Sequence, residues 1–165
     1  MNAFAILVAA FIPLVIGAIW YNEKVFGKAW MKASGMTVEK TQSGNMLLIF
    51  GLTFVLGLLA AFELSTMVVH QSGVFSLLLS EPGFDDPNSE VRQFFDSFME
   101  KYGDKHRTFG HGSLHGGIAG FFMALPIIGI VSLFERKSWK YIAIHAGYWV
   151  VTFALMGGLI SAWKA

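Results

Sequence analysis

The chain contains no cysteine. That absence removes disulfides, thiolate zinc sites, iron–sulfur ligation and cysteine nucleophiles together. Charge is also scarce. Asp, Glu, Lys and Arg make up 14% of the 165 residues and the formal net charge is +1, which gives no electrostatic reason to invoke nucleic acid. The glycine-rich run from Gly110 to Gly120 lacks the Gly-Lys-Ser/Thr ending of a phosphate loop, and no strand pattern precedes it. Ser113 has histidines nearby but no nucleophile-elbow pattern. His111 is followed by Gly112, so the glutamate of a zincin motif is missing.

What is abundant is apolar surface. Hydrophobic residues account for 55% of the chain, and mean hydropathy is +0.56. They are gathered into runs close to the roughly 20 residues that cross a bilayer. The pattern predicts an all-α fold: an integral membrane bundle of four transmembrane helices with one amphipathic extramembrane helix, forming a single membrane domain over residues 1–165. The spans are read at about 2–21, 45–72, 111–134 and 141–163, and the amphipathic segment at 88–103. The first span begins without a basic region and ends in Trp20-Tyr21 with no cleavage site before the aromatics. It reads as a retained helix, not a cleaved signal peptide. Pro13 and Pro126 are expected kinks. The apolar stretch 45–79 would measure about 50 Å as one helix at 1.5 Å per residue. It must therefore project from the membrane or break near Gly73. Between the second and third spans, Glu81-Pro-Gly and Asp85-Asp-Pro87 are turn signals. Val91, Phe94, Phe95, Phe98, Met99 and Tyr102 then recur at helical spacing.

Lysine and arginine set the expected orientation. The first loop carries Lys24, Lys28, Lys32 and Lys40, and the third packs Arg136, Lys137 and Lys140 into a few residues. The second loop is longer and more acidic. The positive-inside rule then makes the first and third loops cytoplasmic and turns both termini outward. With no eukaryotic targeting signal, the expected location is a bacterial inner membrane.

Ionisable residues inside spans are costly to bury and usually face the bundle interior. Here they are Glu63, His70, His111, His115 and His145. His111 and His115 are four residues apart, about 6 Å along a helix, so both imidazoles share one face. In an antiparallel pair His70 lies level with them, which makes His70, His111 and His115 a candidate metal site in the outward half. Glu63 is seven residues before His70 and His145 lies towards the opposite side, so Glu63 and His145 extend the histidines into a possible polar ladder. Small residues recur at four-residue spacing: Gly116, Gly120 and Ala124 on the third span, Gly158 and Ala162 on the fourth. Such ridges let helices pack closely.

Several short motifs fall in a familiar order: Trp20-Tyr21, Phe26-Gly27, Trp30 and Gly35; His115-Gly116; Phe134-Glu-Arg-Lys-Ser; Ala146-Gly-Tyr148; Met156-Gly157; and Ala162-Trp163. Together they resemble the family called domain of unknown function 1761. The resemblance implies a small four-span membrane protein and implies no activity.

The residues leave three classes of function open and favour the first. The first, which asks nothing special of the histidines, is a helix-packing subunit or homo-oligomer without catalysis, its partners being the lipid bilayer and a second copy or a membrane partner protein. The second is a small channel or transporter using the Glu63–histidine ladder. The third is a membrane enzyme holding a divalent metal or a haem at the histidine cluster.

Overall fold

The structure is a computed structural model and describes residues 2–164. Met1 and Ala165, the ends of the domain read from the sequence, lie outside the described residues. Among the described residues all regular structure is helical. Four stretches are long and apolar enough to cross a membrane: Ala3–Trp20, Met46–Val68, Phe109–Phe134 and Trp139–Ala162.

The first stretch consists of α1 (Ala3–Ala9) and α2 (Ile12–Trp20). Pro13 sits in the first turn of α2. It has no N–H to give the Ala9 carbonyl and its ring crowds that oxygen, so the helix is interrupted at Ala10–Phe11. Turns after Trp20 lead into α3 (Gly27–Ser34), which stops at Gly35 with φ +74°, a left-handed conformation suited to glycine. The short α4 (Val38–Gln42) follows.

The second stretch is α5 (Met46–Val68), started by the Asn45 side chain, which accepts a hydrogen bond from the Leu48 N–H at 3.1 Å. Gly57, Ala61 and Ser65 are buried along one face together with Leu64 and Val68. At Gly57 a Cβ would lie 2.6 Å from the Ala10 carbonyl oxygen, so only glycine allows this close approach to the first stretch. α5 ends at Val69, whose ψ of 87° leaves the helical region. The chain restarts as α6 (Gln71–Leu78). The long apolar run therefore breaks at Val69–His70, earlier than Gly73.

α7 (Glu90–Tyr102) is the amphipathic helix, capped by Ser89. It lies on α6, with Phe95 packed against Phe75 and Phe84 at ring separations of 6.1 and 5.3 Å. Gln71 locks the two helices together, its Nε2 donating to the Tyr102 and Lys105 carbonyls at 2.8 and 2.9 Å.

The third stretch runs through α8 (Phe109–Ala119), a π-helical turn at Gly120–Ala124 and α9 (Leu125–Phe134). Pro126 again supplies the reason. Its ring would clash with the Phe122 carbonyl in a regular helix, and the wider turn ahead of it relieves that clash.

The last stretch, α10 (Trp139–Ala162), is the most buried of the four and lies at the centre of the bundle. α8 and α10 meet backbone to backbone: a Cβ at Gly112 would strike the Gly157 carbonyl, and one at Gly116 would strike the Phe153 carbonyl. Ala9, Ala61, Leu64, Val68, Val69, Ala119, Met156 and Ile160 form the core around this contact.

Two sets of polar links fix the ends. Trp20 Nε1 donates to the Ile144 carbonyl at 3.1 Å and Tyr148 Oη to the Pro13 carbonyl at 2.8 Å, tying α2 to α10. At the other end Arg107 Nε donates to the Ser161 carbonyl at 2.8 Å and Nη2 to the Trp163 carbonyl at 2.7 Å. A guanidinium there satisfies free carbonyls at the C-terminus of α10 and complements its dipole.

Candidate metal centre

Three histidines converge where α5 breaks and α8 begins. His70 occupies the break itself, so its side chain is not confined to the face of a continuous helix. His111 is the third residue of α8, and Thr108 fixes that turn by accepting a hydrogen bond from the His111 N–H at 3.3 Å. His115 lies one turn further on. His70 Nε2 and His111 Nε2 are 2.9 Å apart. The His115 ring centroid is 4.7 Å from that of His70 and 4.6 Å from that of His111. One ring nitrogen from each of the three lies within 4.8 Å of the others. His70 is exposed, while His111 and His115 are half-buried.

This spacing is close to a coordination shell. Zinc held by imidazoles at 2.0–2.1 Å in a tetrahedron sets ligand nitrogens about 3.3 Å apart. The donors are all imidazole, a set that suits zinc, copper, nickel or iron and not calcium or magnesium. A metal needs the neutral ring. At His70, burial first and then the neighbouring His115, His111 and His106 push the pKa below the ordinary imidazole value, because each disfavours a further positive charge.

His106 is the residue that helical periodicity passes over. It sits in the loop before α8 with φ +65°, a left-handed conformation uncommon outside glycine. Its ring stacks on His111 at 4.6 Å and approaches His70 at 6.3 Å. Only its sequence proximity to His111 signals it, since it belongs to no helix face. Beside the histidines a cavity of about 420 Å³ opens, lined by His70, Gln71, Val74, Phe98, Tyr102, Lys105 and His106.

Glu63 and His145 lie elsewhere. Because α5 ends before His70, the seven-residue spacing does not put Glu63 and His70 on one helix face. Glu63 is exposed, along a cleft between α5, α9 and α10. His145 lies six residues into α10, about 9 Å from its start, at the end of the bundle that carries the basic third loop. There its Nδ1 is 2.9 Å from Tyr21 Oη, and its Nε2 is buried without a hydrogen-bond partner. Burial, and then Tyr148 and Tyr141, raise the Tyr21 pKa above its ordinary value. The small residues divide as well. Gly116 and Gly120 are buried against α10, and Gly158 lies against Ser113 and Phe109 of α8. Ala124 is half-buried and Ala162 exposed.

The whole bundle, histidine end included, falls within one recognised sequence family, which matches residues 4–161 and is described as protein of unknown function, DUF1761. The chain belongs to the DUF1761 family. No curated protein and no solved structure matches it.

Proposed function

We propose that the protein is a membrane protein that holds a divalent first-row transition metal at His70, His111 and His115. The observation that carries this reading is the convergence of three imidazole nitrogens within 4.8 Å from two separate helical segments. Three histidines leave a fourth position for water or a ligand, the arrangement of zinc sites that act on something. The adjoining 420 Å³ cavity gives that ligand room. A haem iron takes its two imidazoles from opposite faces of the macrocycle. With His70 and His111 nitrogens 2.9 Å apart, no macrocycle fits between them, which favours a bare ion. The lysine and arginine bias supports an orientation with this end outward, in what we read as a bacterial inner membrane.

The reading as a packing subunit or homo-oligomer draws on the small-residue ridges. Gly116 and Gly120 spend their close approach on α10 of the same chain, which favours packing within the chain over packing between chains. The transport reading draws on Glu63 and His145 as a continuation of the histidines, but the break at Val69 takes His70 off the helix face that carries Glu63, which favours the metal reading over a continuous ladder.

Cobalt titration tests the metal reading. Purified chain stripped with chelator is expected to bind Co²⁺ saturably and to develop visible absorption of a low-symmetry nitrogen site, lost in His111→Ala. Cobalt uptake that neither saturates nor responds to His111→Ala would overturn it.

A further inference from the structure

Glu63 lies within α5, five residues before its last residue, and so about 7.5 Å inside the span at 1.5 Å per residue. Its side chain is exposed, and among the described residues it makes no ion pair or side-chain hydrogen bond. It borders a cleft of about 310 Å³ whose other walls are apolar: Met67 on α5, Met123 at the π turn, Ile127 on α9, and Trp149 and Phe153 on α10. The cleft lies between stretches long and apolar enough to cross a membrane.

A carboxylate in that position is costly unless something of opposite charge meets it. Among the described residues no lysine, arginine or histidine lines the cleft. What the walls do offer is aromatic and thioether surface. Trp149 and Phe153 pack edge to face at 5.2 Å, and aromatic faces attract cations. Methionines adapt their shape to varied apolar bodies. The volume sits at the small end of the range of about 300–1,000 Å³ typical of ligand sites. Where it borders the cleft, the third span is widened by the π turn just ahead of Pro126.

From this combination we propose that the cleft binds a lipophilic organic cation, a quaternary or protonated amine-like centre on an apolar body, entering from the bilayer and paired with Glu63. The apolar body replaces lipid in the cleft and the cation neutralises the one charge there. The site is separate from the histidine centre and does not require metal.

Tetraphenylphosphonium is a suitable probe, with neutral tetraphenylsilane as its uncharged counterpart. In equilibrium dialysis against the full chain in mild detergent, tetraphenylphosphonium is expected to bind saturably at one per chain. Glu63→Gln should weaken it at least tenfold, Glu63→Asp should restore most of the affinity, and tetraphenylsilane should bind both proteins alike. His115→Ala should leave the cation's affinity unchanged. Ala124→Leu, which fills the cleft and keeps Glu63, provides a second loss of binding should Glu63→Gln fail to fold. Equal tetraphenylphosphonium binding in wild type and Glu63→Gln, or no saturable binding at all, overturns the proposal. So does a wild-type dimer that excludes the probe and falls to monomer in Glu63→Gln, since the cleft would then be closed by a second copy.

Discussion

His70 and His111 are separated by 41 residues in sequence, yet their Nε2 atoms lie 2.9 Å apart. Two local events make this possible. α5 lets go of its helical hydrogen bonding at Val69, and Thr108 starts α8 so that His111 falls in its first turn. Without metal, one ring must carry a proton and donate to the other. With metal, both lone pairs turn to the ion.

Burial of His70, and then the neighbouring His115, His111 and His106, make the centre sensitive to acid. The His70 pKa is lowered in the folded chain, so between that value and the ordinary value of about 6.5 the unfolded chain holds more protons. Stability of the metal-free protein then rises with pH across this window and is lost as pH falls through it. Thermal unfolding in detergent with chelator should show a lower midpoint at pH 5 than at pH 7.5, and His70→Gln should narrow the gap. A gap unchanged by His70→Gln would mean that another group is responsible.

The contact between α8 and α10 gives a sharper mechanical prediction. A methyl at Gly116 meets the Phe153 carbonyl and the Ala154 backbone, whereas one at Gly129 has nothing within 4 Å. Overpacking costs about 1–3 kcal/mol, while replacing a helical glycine by alanine gains up to about 1 kcal/mol. Gly116→Ala should therefore destabilise the chain, by up to about 2 kcal/mol when the full helix-propensity gain is set against the upper overpacking cost. Gly129→Ala should be neutral or slightly stabilising. Denaturant titration of the two side by side decides it, and equal behaviour would contradict backbone-to-backbone packing.

Arg107 is expected to matter beyond its charge. It holds the Ser161 and Trp163 carbonyls while standing next to His106 and one residue before Thr108. Charge-assisted hydrogen bonds are worth about 1.5–3 kcal/mol each, reduced here by partial exposure. Arg107→Met should fray the end of α10, read as faster amide exchange over residues 158–163, and should weaken metal binding by loosening the loop that leads into α8. Unchanged exchange at that end would show that the clamp is dispensable.

Much of this architecture is legible in the chain. Hydropathy and length locate four spans. Pro13 and Pro126 announce the interrupted turns, and the four-residue spacing of His111 and His115 puts both on one face. His70 joins them because antiparallel spans bring it level. Two things escape such reading. His106 takes a left-handed loop conformation, which no periodicity describes. Glu63 looks like a continuation of the histidines only while α5 is assumed to run unbroken through residue 70. At the break Val68 and Val69 are buried in the core while His70 stays exposed, a placement that no helical period describes.

The most direct test of the central claim is metal content. The full chain is purified in mild detergent beside His115→Ala, and both are assayed for first-row metals after gel filtration with folding checked by circular dichroism. Near one equivalent of metal is expected in the wild type, with most of it lost in a still-folded His115→Ala. A wild type that is metal-free and takes up no added zinc, or a His115→Ala protein that retains a full equivalent, would contradict it.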